Sequence, residues 1–402
     1  MNYHLTSEIA ALPPGTNAIV STAAPTHETD DLVPEPKREE GGSLRLAVLI
    51  RRLAAARPWV CFFASRSIYE EIDVGAFPKT MMTGFLALSC AWPTATLAAD
   101  ISRDDVNAAR LADRSDVAAG EPNPVMIKAQ ILLDRAHVSP GVIDGYDGEN
   151  LTKALSAYEE MHDLTVDGEL DEEVWKTLGG EKNADLLVEY EITADDTDQD
   201  FIDEIPSDYE KLAELESVGF TSIEEMLAER HHMDIELFKA LNDGKDMTKG
   251  TTILVADIGD PRTDGTIARI EADKDRAQIR AYDEDDKLVL AYPATIGSEE
   301  NPSPEGTHQI EAIAVDPTYS YRPSKNFQQG ENDEKLTIAA GPNNPVGDVW
   351  IDLSEPTYGI HGTSEPSEID KTASHGCVRL TNWDANELAE LVETGTDVRF
   401  ID

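Results

Sequence analysis

Three side chains able to act as nucleophile, acid or base lie close together near the C-terminus of the 402-residue chain: His361, His375 and Cys377. They sit in two short segments, Tyr358-Gly-Ile-His-Gly-Thr363 and Ala373-Ser-His-Gly-Cys-Val-Arg-Leu380. A thiol becomes a strong nucleophile when its thiolate is stabilised and a base stands beside it. Either histidine can serve as that base, and spacing alone does not choose between them. On a strand, His375, Cys377 and Arg379 project from one face. Gly376 between them leaves room for a substrate to approach the backbone. The N–H groups near Gly376 and Cys377 are candidates to receive an oxyanion, and Arg379 is a candidate to bind a carboxylate. His361, His375 and Cys377 also offer N/S ligands to zinc. No CxxC or HExxH element accompanies them, so a nucleophile is favoured and no metal is expected. Cysteine peptidases of other folds set Cys and His far apart in sequence, against 16 residues here.

The elements that must position these groups are short and extended. Over 262–402, apolar and polar residues alternate in Ile267 to Ala272, Gln278 to Tyr282 and Leu288 to Pro293, with Gly, Pro and Asn between them. The pattern predicts a mainly antiparallel β domain. A late helix is expected over Trp383–Val392 with Asn382 as its cap, then a closing strand over Asp397–Ile401.

The motif set resembles the L,D-transpeptidase catalytic domain family. His361-Gly362-Thr363, a loop, and Ser374-His375-Gly376-Cys377 followed by Val378, Arg379 and Leu380 fill each position of the family pattern. Pro304-Glu-Gly306 after Gly297, Gly341-Pro-Asn-Asn-Pro345, Gly347 and the Trp350–Leu353 strand fit its frame. The resemblance implies Cys377 as nucleophile and His361 as its base, with the Gly362 carbonyl orienting the imidazole. His375, Gly376 and Ser374 would shape the site, and Arg379 would bind the stem peptide. Asp370 stands where the family commonly has Gly, and Tyr319 and Tyr321 occupy a substrate-flanking segment that is often Trp-rich. The implied reaction is peptidoglycan acyl transfer without a cofactor. Cys377 attacks a stem peptide, releases a terminal D-amino acid, and passes the acyl group to an amine. Water would make the enzyme a carboxypeptidase, and an outer-membrane lipoprotein amine would make it an anchoring enzyme. Carbapenem β-lactams are the expected covalent inhibitors. A non-catalytic wall-binding protein is the rival reading.

Upstream, 121–180 reads as three helices: Pro124 to Ala136, one carrying Leu151, Ala154, Leu155 and Tyr158, and Asp171 to Leu178. With Asp144-Gly145, Gly148, Asp167-Gly168 and Trp175, this unit resembles the small peptidoglycan-binding domain. It departs at Tyr158-Glu159, where an aromatic–Gln pair is usual. Residues 100–120 and the acidic stretch 181–208 read as linkers. Residues 209–258 resemble a LysM-like module. A capping box is expected at Ser222/Glu225, and His231 and His232 are read as surface residues. Met81 to Ala99 has the layout of a secretory signal, Lys79 before an apolar run, with cleavage near Ala98 or Ala99. That makes 79–99 a signal peptide, 1–78 an untranslated or disordered extension, and the mature protein periplasmic or secreted and wall-associated. Of Cys61, Cys90 and Cys377, only Cys377 would survive cleavage.

Formal charge agrees with an exterior location and excludes one class of partner. The chain carries a net charge of −46. Residues 1–99 hold 8 Lys/Arg against 10 Asp/Glu, and 100–402 hold 25 against 69. Nucleic-acid binding needs a basic face. So much acid is best tolerated where salt screens it. The expected partners are peptidoglycan stem peptides and glycan.

Overall fold

Residues 101–116, 120–182, 184–262, 266–298, 301–325 and 327–402 are described by a computed structural model. The extension, the signal segment, Cys61 and Cys90 lie outside the described residues. Helices come first: α1 (Arg103–Asn107), α2 (Pro124–Arg135), α3 (Glu149–Met161) and α4 (Glu172–Thr177). Next are β1 (Leu187–Glu191), α5 (Ala194–Thr197), α6 (Tyr209–Leu212), α7 (Ile223–Arg230), α8 (Ile235–Leu241) and β2 (Thr252–Ala256). The C-terminal part contains β3 (Arg269–Asp273), β4 (Gln278–Tyr282), β5 (Leu288–Pro293), β6 (Thr295–Ile296), β7 (Gly306–Val315), β8 (Tyr319–Tyr321) and β9 (Leu336–Ile338). It ends with β10 (Val349–Leu353), β11 (Gly359–His361), β12 (Val378–Arg379), α9 (Asn382–Leu391) and β13 (Asp397–Ile401).

Nine of these strands form one sheet in the order β5-β4-β3-β13-β7-β10-β11-β12-β6, mostly antiparallel, while β8 and β9 make a separate hairpin. The mainly antiparallel β domain expected from alternation is present. Its core gathers Ile270, Ile279, Leu290, Ile351, Ile360, Val378 and Leu388, so α9 covers the face on which β11 and β12 bury their apolar residues. The cap of α9 is Thr381, whose hydroxyl accepts the Asp384 amide at 3.1 Å. Such a cap contributes about 1 kcal/mol. Asn382, the expected cap, is the first helical residue and is free to bond elsewhere.

The described parts of the two expected linkers are built structure. Ser102 and Asp105 close a capping box on α1, Val106 is fully buried, and Asn107 Oδ1 accepts the amides of Leu186 and Leu187. Lys128 Nζ donates to the carbonyls of Asn107, Ala109 and Lys182, tying both ends of the helical unit together. The acidic stretch supplies β1, antiparallel to β2 from Leu187↔Ala256 to Glu191↔Thr252. Alternation in Leu-Val-Glu-Tyr-Glu marks a half-buried strand, but the surrounding acidity masked it. Glu159, in place of the usual Gln, is buried and accepts the amides of Asp167 and Gly168 at 2.9 and 2.8 Å.

His231 and His232, expected on the surface, are half-buried. His231 Nδ1 bonds the Ala256 carbonyl, and burial pulls its imidazole down to about 4. His232 stacks on Trp383 and bonds Asp134. At α7, Ser222 caps, but the Glu225 carboxylate turns to Thr221 and Asn343, so no box closes.

The described residues all fall within one compact unit. Helix α3 lies along β5, and Arg280, buried in β4, pairs with Glu160. The helical domain therefore packs on the edge of the catalytic sheet. Among the described residues, no helix is long and apolar enough to cross a membrane.

Candidate active site

The two motifs meet as neighbouring parallel strands, with Ile360 opposite Val378 and His361 opposite Arg379. Ile360 and Val378 point into the core, so alternation turns His361, Arg379 and Cys377 to the opposite face. There they line a cavity of about 570 Å³ with Ser374, His375 and Tyr319. Lys325 and Arg379 are cations in this lining, and among the described residues no carboxylate belongs to it.

Each reactive group is held from behind. His361 Nδ1 lies 2.6 Å from the Gly362 carbonyl. A carbonyl only accepts, so Nδ1 carries the proton and the neutral ring keeps its lone pair on Nε2. Trp350, opposite His361 across β10 and β11, stacks on the ring at 5.6 Å and 18°. Burial pulls the imidazole down to about 4, partly opposed by the Gly362 bond. Burial pushes the Cys377 thiol up, while the Gly359 amide and Arg379 pull it down. Thiol and imidazole are therefore both neutral at rest near pH 7. The thiol donates to the Thr357 carbonyl at 3.7 Å, and Thr357 holds a left-handed φ of 76°, a costly conformation for a β-branched residue.

The Ser374 hydroxyl donates to the Cys377 carbonyl at 2.7 Å and accepts the Gly376 amide at 3.3 Å. The Gly376 N–H is thus engaged by Ser374, through a long bond that an acyl oxygen would have to displace. Gly376 has φ 106°, and a Cβ there would lie 2.7 Å from Tyr358, so glycine is required. The His375 ring stacks on Phe327 at 3.9 Å and 11°. Asp370, where Gly was expected, has φ 63°. Aspartate tolerates that left-handed region better than most residues, so the departure keeps the turn.

Residues 267–400 match the YkuD family, the L,D-transpeptidase catalytic domain, and residues 123–178 match a peptidoglycan binding domain family. Over 158 residues the chain is 32% identical to a Bacillus licheniformis protein named as an L,D-transpeptidase, YkuD, covering 39% of this chain and 78% of that protein. The chain belongs to the L,D-transpeptidase family. It is also 49% identical over 57 residues to YkuD of Bacillus subtilis, covering 14% of this chain and 35% of that protein. With the Escherichia coli protein named as an L,D-transpeptidase, YbiS, it shares 30% identity over 189 residues, covering 46% of this chain and 61% of that one.

Within this family member, one residue expected at the substrate is elsewhere. Tyr321 is fully buried and does not line the cavity. Its hydroxyl accepts the Gln329 amide at 2.9 Å, and its ring packs edge-on to Tyr209 and Phe327. Tyr319 and Tyr321 share a face of β8 by spacing, but Tyr321 sits under the loop that carries Phe327. Sequence reasoning missed Tyr209, Lys325, Phe327 and Trp350, which all line the cavity. Trp350 had a signal: on β10 it alternates with core residues Val349 and Ile351. Tyr209 had none, because it comes from α6, far away in sequence.

Proposed function

We propose that this protein is a peptidoglycan L,D-transpeptidase acting through a thioester on Cys377, with His361 as its base. The supporting observation is a neutral thiol sharing one cavity with an imidazole whose Nδ1–H is committed to a carbonyl. His361 Nε2 takes the thiol proton as sulfur adds to the stem-peptide carbonyl on the L-configured side of a diamino acid. The Cys377 amide, with the Gly376 amide once released from Ser374, receives the oxyanion. The proton passes to the leaving amine, which departs as a terminal D-amino acid and leaves the thioester. An acceptor amine then gives its proton to His361 and attacks the thioester. The thiol is restored and a new amide forms. Arg379 and Lys325 are suited to the donor's carboxylates, and Tyr319 to its flank. In an acidic chain, they make the cavity the place where an anionic peptide is least repelled.

Incubation with a carbapenem followed by intact mass measurement tests the chemistry. An adduct of one β-lactam mass is expected, absent in Cys377→Ala. An unmodified wild-type chain overturns the proposal. Muropeptide analysis of cells with and without Cys377→Ala identifies the acceptor. Altered direct cross-links, altered tripeptides and lost lipoprotein attachment correspond to a stem peptide, water and a lipoprotein. We further read 209–258, joined by β1, as a LysM-like wall-binding module, and the mature chain as exported after cleavage near Ala98 or Ala99.

A further inference from the structure

The base of this site has a second support that comes from outside the catalytic domain. Behind His361, Gly362 and Gly347 lie against the side chain of Asn382, the first residue of α9. A Cβ at either glycine would stand 2.1 Å from Asn382 Oδ1, too close for any real contact. The Asn382 amide therefore occupies the space directly behind the peptide whose carbonyl orients the His361 ring. Oδ1 also accepts the Asp348 amide at 3.4 Å.

Three observations show what holds Asn382 there. Its Nδ2 donates to the Pro342 carbonyl at 3.1 Å and to Glu229 Oε1 at 2.7 Å. Glu229 belongs to α7, in the β1–β2 module upstream of the catalytic domain. That module is fastened to the same corner by Asn343, which donates to the Gly219 carbonyl at 3.0 Å and to Glu225 at 2.7 Å. Gly341 completes the seam, since a Cβ there would stand 2.3 Å from the Val218 carbonyl oxygen.

We propose that Glu229 and Asn382 are positioning residues, through which the upstream module fixes the Gly362 carbonyl and so the orientation and tautomer of His361. This rests on the reading of His361 as the base for Cys377. Asn382 touches the peptide that orients the ring, and Glu229 acts only through Asn382. The bond requires an acceptor at Glu229, and a charge is not needed. Burial pushes that carboxyl up to about 8, so near pH 7 it is largely protonated and a glutamine reproduces its shape and acceptor. Losing the bond lets Asn382 rotate away from Gly362. Ångström-scale displacement of a catalytic group costs up to about a hundredfold in rate.

The test is the rate of Cys377 acylation by a carbapenem near pH 7, over a range of drug concentrations, in the full chain. Glu229→Ala is expected to lower the limiting first-order constant about tenfold while moving the half-saturating concentration less than about twofold, because the drug binds on the far side of His361. Glu229→Gln is expected to restore the constant. Asn382→Ala is expected to lose about as much or more, and the double variant Glu229→Ala/Asn382→Ala no more than Asn382→Ala alone. If Asn382→Ala does not fold, the Glu229 pair decides by itself. Glu229→Ala acylating at the wild-type limit, a loss confined to the half-saturating concentration, or Glu229→Gln as slow as Glu229→Ala each overturns the inference. A wild-type chain that forms no Cys377 adduct overturns the nucleophile reading and this inference with it. Fast wild-type acylation unchanged in Glu229→Ala overturns the inference alone.

Discussion

At the scale of single residues, burial keeps two ionisable groups of the cavity, the His361 imidazole and the Cys377 thiol, uncharged near pH 7. A depressed imidazole and an elevated thiol in one cavity are not a preformed ion pair, and in the proposed mechanism the proton moves only as sulfur attacks. The sign of the pH dependence follows. His361 is neutral, and so a base, above about 4, and that capacity is lost as pH falls through about 4. Carbapenem acylation is therefore expected to continue as pH drops from 8 through the usual histidine range and to fail only near 4. Rapid-mixing measurements across pH 4–8 check this, and an acid limb centred near 6.5 contradicts it. Ser374 and Thr357 fix the thiol's surroundings through backbone carbonyls. The left-handed φ of Thr357 costs about 1–3 kcal/mol, borne where its carbonyl meets the sulfur.

At the scale of elements, the loop between the two motifs is clamped by another domain. Lys153 of α3 forms an ion pair with Asp370, both side chains mostly buried at 14% and 18% exposed. Asn150 Nδ2 donates to the Ile369 carbonyl at 3.3 Å. The helical domain thus grips the segment joining His361 to Cys377. Removing one partner of a half-buried pair leaves the other charge poorly solvated. Lys153→Met is expected to destabilise the protein by about 1–3 kcal/mol and to speed proteolytic cleavage within 364–373. Urea unfolding and timed proteolysis measure the two effects. An unchanged midpoint with unchanged cleavage shows that the clamp does not hold the loop.

At the scale of the whole molecule, charge and architecture oppose each other. Residues 100–402 carry an excess of 44 acids over Lys and Arg, and self-repulsion of that size weakens a compact state. Screening shortens from about 10 Å at 0.1 M to about 3 Å at 1 M salt. The thermal unfolding midpoint is therefore expected to rise as sodium chloride increases from low concentration to about 1 M. A midpoint that is flat or falls would show the surface charges to be energetically idle. Among the described residues, the lining of the Cys377 cavity holds two cations and no carboxylate. Tyr209 and Glu229 come from the upstream segments, one lining the cavity and one bonded to Asn382.

The local features were legible in the chain itself. β4, β5 and β13 stand where the sequence pattern expected strands, although β4 is buried on both faces. His361 and Arg379 came together because their motifs occupy adjacent parallel strands, while Cys377 follows a bend at Gly376 that strand periodicity did not foresee. Other features depended on long-range packing. β1 was hidden because its acidic face is solvated, and only pairing with β2 covers its other side. His231 and His232 look like surface residues until β2 and Trp383 close over them. Tyr321 shares a periodicity with Tyr319, yet the loop carrying Phe327 buries one and leaves the other at the cavity. Residue type and spacing determined the reactive groups, since the chemistry of a thiol, an imidazole and a glycine travels with the chain. Tertiary structure decided that the His361 Nδ1–H is committed to a carbonyl, which tyrosine lines the cavity, and which distant carboxyl bonds Asn382. The first two depend on burial and on partners nearby in the chain, the Gly362 carbonyl and the loop of Phe327, while the contact between Glu229 and Asn382 joins segments 153 residues apart.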